Sequence, residues 1–212
     1  MHSGFFLVLE GPEGAGKSTL AAGLAEALRA SQITPVMVRE PGGTPAAEAL
    51  RTELLDAERE WTAEQELLYM TTARADLIAR VIGPALQGGR LVISDRYDLS
   101  THAYQGAGRG LPEDYLAWVN RAATGGLLPD LTLVLDLPSE VASGRVERRT
   151  SRRNRLDRES AEFHQRVAAH YRAARGKGIV HLDADVPPVA MVEAAMTALR
   201  QARPGLFPPE RS

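Results

Sequence analysis

Lys17 and Ser18 close a stretch that reads "GPEGAGKST" over residues 11–19, in which Gly11 and Gly16 stand five apart. The spacing G-x-x-x-x-G-K-S suits one kind of chemistry. Glycines let the backbone wrap so that several N–H groups point into one space. A helix starting near Lys17 adds the positive end of its dipole. A polyphosphate fits such a cradle, with the Lys17 ammonium on the β- and γ-phosphates and the Ser18 hydroxyl on a magnesium ion. Gly11, Pro12, Glu13, Gly14, Ala15, Gly16, Lys17, Ser18 and Thr19 are therefore candidate ligands of a nucleotide. The rival is a plain glycine-rich turn. The setting argues against it, because the apolar run "FFLVLE" (5–10) precedes the loop and a helical pattern comes after it.

Two more segments carry usable groups. "VISDRY" puts Asp95 and Arg96 at the end of an apolar run, where an acid can reach a magnesium shell and an arginine can hold a phosphate bidentately. "REPGGT" (39–44) ends another run with Glu40 and a Gly-Gly turn. The loop alone names no reaction. A GTPase should also carry an N-K-x-D base-reading motif, and the chain has none.

These groups need a scaffold that brings strand ends together. Five short runs read as strands: 5–10, 35–39, 90–95, 131–137 and 178–184. They are nearly continuous in apolar residues, as expected of a parallel sheet covered on both faces. Helical patterns alternate with them. Leu20, Leu24 and Leu28 form one stripe; Thr71, Ala75, Ile78 and Ile82 form a second within 62–87; Val189, Val192, Met196 and Leu199 form a third. Strand–helix alternation predicts a doubly wound α/β fold, and ligands of such sheets bind at the carboxyl ends of the strands. One domain over residues 1–212 is expected, with a proline-rich tail from about 203 that frays.

Bulk properties narrow the class. Of 212 residues, 44% are apolar and 25% charged, and the net charge of −2 argues against coating nucleic acid or an anionic membrane. No cysteine is present, which excludes disulfides and thiolate metal sites. No signal peptide or membrane span is read, and a cytoplasmic protein is the simplest expectation.

"LEGPEGAGKST", "REPGGT", "SDRYDLSTHAYQGAGRG", "LPDLTLVLDL" and "LDRE" stand in an order and spacing that resemble the bacterial thymidylate kinases, from residue 9 to beyond residue 183. The resemblance implies a P-loop NTPase-like α/β fold, a doubly wound five-stranded parallel sheet with helices on both faces and an arginine-rich lid. It implies Mg²⁺-dependent transfer of the ATP γ-phosphoryl group to dTMP, and a homodimer. It places Arg96 and Arg51 on the dTMP phosphate and Arg74 at the thymine. Ser100, Thr101 and Gln105 become polar contacts around the base. Tyr104 packs against the sugar, where a 2′-hydroxyl would collide, and Glu13 and Glu40 lie near the sugar and acceptor phosphate. Ser18 and Asp95 are the magnesium side. Where the family usually has a phenylalanine that stacks on thymine, four residues before Arg74, this chain has Met70.

Seven arginines lie between Arg145 and Arg158 in "GRVERRTSRRNRLDRE". No aromatics interleave, which disfavours a nucleic-acid patch. The resemblance implies instead a lid, about 143–158, that brings cations to the transferred phosphoryl. One class of the family keeps a catalytic arginine in the phosphate loop; Gly14 stands there in this chain, so the lid should supply it. Arg149 and Arg153 are the candidates, with Arg158 as an anchor. A kinase for another nucleotide or nucleoside and a non-catalytic ATP-binding regulator are the rival expectations.

Overall fold

The computed structural model describes residues 3–148 and 154–207. Among them five strands form one parallel sheet in the order β2-β3-β1-β4-β5. They are β1 (Phe5–Glu10), β2 (Val36–Arg39), β3 (Leu91–Asp95), β4 (Leu131–Asp136) and β5 (Ile179–Asp183), each end within one residue of its expected place. β1 is buried throughout and β3 and β4 nearly so, whereas the edge strands β2 and β5 are only partly covered. Central position in the sheet explains the difference, since edge strands have a neighbour on one side only.

The pleat splits β1 between two cores. Phe5, Leu7 and Leu9 point to one face, where Leu20, Leu24 and Leu28 of α1 (Lys17–Ala30) meet Met191, Met196 and Leu199 of α9 (Pro188–Ala202). Phe6 and Val8 point to the other, against Leu77, Ile82, Leu86 and Tyr97. Val134 of β4 packs with Tyr104 and with Phe163, Val167 and Tyr171 of α8 (Ala161–Ala173). Each such side chain contributes about 1.5–3 kcal/mol by leaving water.

Three expectations need correction. α3 (Ala63–Leu77) continues through a π-helical segment (Ile78–Ile82) into α4 (Gly83–Gln87). Its buried residues are Glu66, Leu67, Met70, Thr71, Ala73, Arg74 and Leu77, while Ala75 and Ile78 are only partly covered. A polar side chain, Arg74, occupies the inner face, and the π turn then shifts the helical phase of the residues beyond it. Val189 is 70% exposed in the first turn of α9, and the buried stripe begins at Met191. The tail does not fray from 203. Pro204–Leu206 form a 3₁₀ turn, Leu206 and Phe207 pack on the core, and the Arg200 guanidinium lies 5.1 Å from the Phe207 ring centre. Residues 208–212 lie outside the described residues. No described helix is long and apolar enough to cross a membrane.

The register sets up the site. Asp95 at the end of β3 stands opposite Leu9 of β1 and Arg39 of β2. The exits of three strands are thereby side by side. Gly11 makes the first exit possible. Its φ is +142°, and a Cβ would lie 2.8 Å from the Leu135 carbonyl oxygen. Gly11→Ala should therefore destabilise the fold by about 1–3 kcal/mol, as expected of enforced backbone strain. Chemical denaturation checks this, and an unchanged midpoint would show that the loop relaxes without cost.

Candidate active site

One cavity of about 240 Å³ opens at these strand ends, and it joins the phosphate loop to most of the residues expected of an acceptor site. The loop side is Glu13, Gly14, Gly16, Lys17, Ser18 and Thr19. The far wall includes Glu40, Arg51, Met70, Arg96, Ser100, Tyr104 and Gln105, with Asp95 between them.

The loop owes its shape to positive φ at Gly11, Gly14 and Gly16, and Gly16 leads into α1 without a side-chain cap. The first-turn N–H groups of α1 are thus left for a ligand. Lys17 Nζ donates to the Gly11 and Pro12 carbonyls, each at 2.8 Å. Burial, then the nearby Arg96 cation, lowers its pKa to about 8 against the pull of Glu13, Asp95 and Glu10. Gly11 and Pro12 serve through those carbonyls, and Ala15 is buried in the core. The Ser18 hydroxyl donates to Asp95 Oδ2 at 3.0 Å. Two adjacent hard oxygens are what Mg²⁺ takes from a protein when phosphates and water complete its shell. No group of three or more His, Cys, Asp or Glu fit to hold a metal occurs among the described residues.

Arg96 stands at φ +79°, rare for a side chain with a Cβ. Its guanidinium pairs with the Glu13 carboxylate and donates to the Tyr104 hydroxyl at 2.9 Å, to Tyr171 at 3.1 Å, to Ser100 at 3.2 Å and to the Gly11 carbonyl at 3.3 Å. Beneath it, Glu10 is fully buried and accepts from Ser100 Oγ (2.6 Å), the Ser100 and Tyr97 amides, and the Tyr171 hydroxyl (3.0 Å). Burial pushes the Glu10 carboxyl up, against the Arg96 charge. Tyr104 and Gln105 reach the cavity from a π-helical segment (His102–Gly108) that continues the short α5 (Asp98–Thr101). Gly108 lets that segment press on α8, since a Cβ there would lie 2.5 Å from the Phe163 ring.

Arg74 and Thr101 are not in the cavity wall. Arg74 is fully buried and donates to Glu40 (2.7 Å), Thr101 Oγ1 (2.9 Å), Asn120 Oδ1 of α6 (Glu113–Thr124) at 2.6 Å and the Tyr97 carbonyl (2.8 Å). A buried guanidinium needs such partners, and they draw it behind the wall rather than into it. Met70, one turn earlier, does line the cavity. Arg51 donates to the Pro41 carbonyl at 2.8 Å and faces the cavity from α2 (Pro45–Leu55).

Of the lid candidates, Arg149 and Arg153 lie outside the described residues. Arg145, in α7 (Ser139–Glu147), is tied to the Ala184 carbonyl (3.0 Å) and Asp185. Near the end of the arginine run, Arg155 is held more firmly than Arg158. Arg155 is 11% exposed in its side chain and bonds Glu66 and the Leu54 carbonyl, whereas Arg158 meets the exposed Glu58 at 3.9 Å. Sequence reasoning missed Arg39, Leu55, Asn154 and Leu156 in the wall, and Glu10, Tyr171, Asn120 and Glu66 behind it. Arg39 had a signal, its place at a strand end in "REPGGT". Glu10 had the same signal, at the end of the run 5–10, and Asn154 and Leu156 lie in the arginine run, whereas Tyr171, Asn120 and Glu66 had none, since they are defined by partners far along the chain.

A parallel sheet with a phosphate loop after its first strand, facing cationic and aromatic side chains across one cavity, defines a P-loop nucleotide-binding protein with room for a second ligand. The family model "Thymidylate kinase" matches residues 9–195. The chain is 44% identical over 200 residues to a thymidylate kinase of Thermomicrobium roseum, covering 93% of this chain and 95% of the relative. It is 45% identical over 201 residues to one of Pseudomonas fluorescens, with the same coverage. It is 47% identical over 182 residues to one of Cereibacter sphaeroides, covering 82% of this chain and 84% of the relative. The chain belongs to the thymidylate kinase family, as its motifs implied.

Glu40 makes the site's electrostatics testable. Its Oε2 holds Arg74, but its Oε1 has no partner among the described residues. Burial therefore outweighs the Arg74 charge and raises the carboxyl from 4.5 to about 7. Between those values the folded protein binds a proton that the unfolded chain does not, so folding gains stability as pH falls through that window. Glu40→Gln cannot titrate. Thermal melting of both proteins from pH 7.5 to 4.5 should show the difference shifting steadily in favour of the wild type. A pH-independent difference would mean that Glu40 stays ionised.

Proposed function

We propose that this chain phosphorylates dTMP to dTDP with ATP as donor, in the cytoplasm, for dTTP biosynthesis. The observation that carries the reading is the single cavity shared by the phosphate loop and the Arg51–Arg96–Tyr104–Gln105 wall. Donor and acceptor phosphates need to meet in line, and a shared cavity leaves room for both to do so.

The attacking atom is a dTMP phosphate oxygen, ionised at neutral pH, so no strong general base is required. Positioning and charge neutralisation do the work. The loop amides and Lys17 hold the ATP phosphates. Ser18 and Asp95 would hold Mg²⁺, which would neutralise phosphate charge. Arg96 and Arg51 hold the dTMP phosphate, and Glu13 keeps the Arg96 guanidinium in place. Tyr104 crowds the sugar 2′-position, and Met70, Ser100 and Gln105 border the base. Arg74 acts from behind by fixing Glu40 and Thr101. Arg149 and Arg153 bring positive charge to the transferred phosphoryl, a role carried by their place in the arginine run. The homodimer rests on the family resemblance, and sedimentation analysis decides it.

Release of ADP that depends on dTMP tests the activity. Across dTMP, dUMP, UMP, CMP, AMP and thymidine, dTMP should be the best acceptor; ATP binding without any turnover would overturn the reading. Lys17→Ala should stay folded and lose at least about 10²-fold in kcat, the worth of one preorganised charge.

Met70 supplies a separate test. It offers sulfur–aromatic contact to a base but no flat ring. Met70→Phe should tighten dTMP by about 0.5–1.5 kcal/mol, the usual worth of an aromatic pair, and leave an ATP analogue unaffected. Calorimetry with each ligand reads both. Unchanged dTMP binding with lowered thermal stability would make Met70 a packing residue only.

A further inference from the structure

One buried carboxylate has no part in the chemistry above. Glu66 lies in the first turn of α3 with 1% of its surface exposed. Its Oε2 accepts from Arg155 and, at 3.0 Å, from Arg109; its Oε1 accepts from Gln105 Nε2 at 2.6 Å. Burial pushes this carboxyl up, but the bonds from Arg109 and Arg155 outweigh burial and hold it below the usual carboxylate range. An ionised carboxylate has no proton to donate. It can only accept, so the Gln105 amide must turn its NH₂ toward Glu66. The other end of that amide, Oε1, is buried with no partner among the described residues, and Gln105 lines the cavity.

We infer that Glu66 is a positioning residue that sets the hydrogen-bond polarity of the acceptor-base site: it locks the Gln105 amide with its carbonyl offered to the ligand, so that the cavity favours a pyrimidine with an N3–H donor over one whose N3 is an acceptor. The inference rests on reading this cavity as the dTMP site. Thymine and uracil carry the N3 proton. Cytosine presents a lone pair there, so two acceptors would face each other and Gln105 Oε1 would stay desolvated and unpaired. The two arginines matter because a protonated Glu66 could donate to the amide oxygen and turn Gln105 around. Arg109 is itself held by Glu159 at 2.6 Å, and Arg155 by the Leu54 carbonyl at 3.2 Å, so both cations are fixed where the carboxylate needs them.

The test compares kcat/KM for dTMP and dCMP in the wild type and in Glu66→Gln. A glutamine at 66 can donate or accept, so Gln105 is free to turn. The dTMP/dCMP preference should fall at least about 10-fold, chiefly through KM, since an interaction with the base is made in ground and transition states alike. A purely structural Glu66 would lower both acceptors in proportion, and an unchanged ratio in a folded variant overturns the inference. Folding is read by ATP-analogue binding. If Glu66→Gln does not fold, the double variant Glu66→Gln with Arg155→Gln removes a cation along with the anion, and the same ratio decides. The wild type gives a readout of its own. The side-chain NH₂ signal of Gln105, assigned through Gln105→Glu, should be protected from exchange and hardly move when dTMP is added; a large shift would mean that the NH₂ faces the base, against the inference. Wild-type protein that ignores dTMP altogether would sink the functional reading, whereas an active wild type with an unmoved ratio sinks only Glu66.

Discussion

Arg96 is the group on which the site's geometry depends. It sits in a backbone conformation that costs roughly 1–3 kcal/mol for a residue with a Cβ. Such a residue persists only where its surroundings leave it no alternative. Here its N–H donates to the Leu9 carbonyl at 2.9 Å, extending the sheet, and its carbonyl accepts from Ser94 Oγ at 2.7 Å. Its guanidinium then reaches the phosphate loop through Glu13 and the Gly11 carbonyl, the π-helical segment through Tyr104, and α8 through Tyr171. It also lies 4.9 Å from the Tyr104 ring centre. A displacement of any one of these elements is felt by the others, so the donor and acceptor sides of the cavity share one origin.

Three buried carboxylates support this arrangement, each facing a different arginine. Glu10 lies under Arg96 through Ser100 and Tyr171, Glu40 holds Arg74, and Glu66 holds Arg155 and Arg109. Taking a charge out of water is expensive, and an ion pair repays that only with good geometry and further hydrogen bonds. The three differ in how fully they are satisfied. Glu66 has bonds to both oxygens and stays below the ordinary carboxylate range, while Glu40 has a bond to one and rises to about 7. For a protein that handles polyanions, the pattern has a use. Arg96 faces the cavity and Glu10 supports it from behind through Ser100 and Tyr171, while Arg74, Arg109 and Arg155 brace the wall from outside it.

Both π-helical segments lie at places where helical phase matters. In the first, the extra residue per turn shifts the face that α4 presents after Arg74. In the second, Tyr104 and Gln105 are consecutive, yet both line the cavity. A wider turn brings neighbouring side chains to the same side of the backbone, which explains why such turns recur at binding sites.

Sequence alone determined the strands, the loop at residues 11–19, the strand-end positions of Glu40, Asp95 and Arg96, and the family. These are legible because their causes are local: an apolar run bounded by glycine, a cation at fixed spacing, a turn that only glycine can make. Tertiary structure decided which groups face the cavity and which stand behind it. Met70 and Arg74 share a helix face in the sequence, yet one lines the cavity and the other is drawn inward by Glu40, Thr101 and Asn120. Tyr171 reaches Arg96 across 75 positions, and Glu66 reaches Arg155 across 89. No periodicity or short motif encodes such a pair. Its existence depends on how the helices pack on the sheet, and the desolvation of each buried charge then selects which partner it must find.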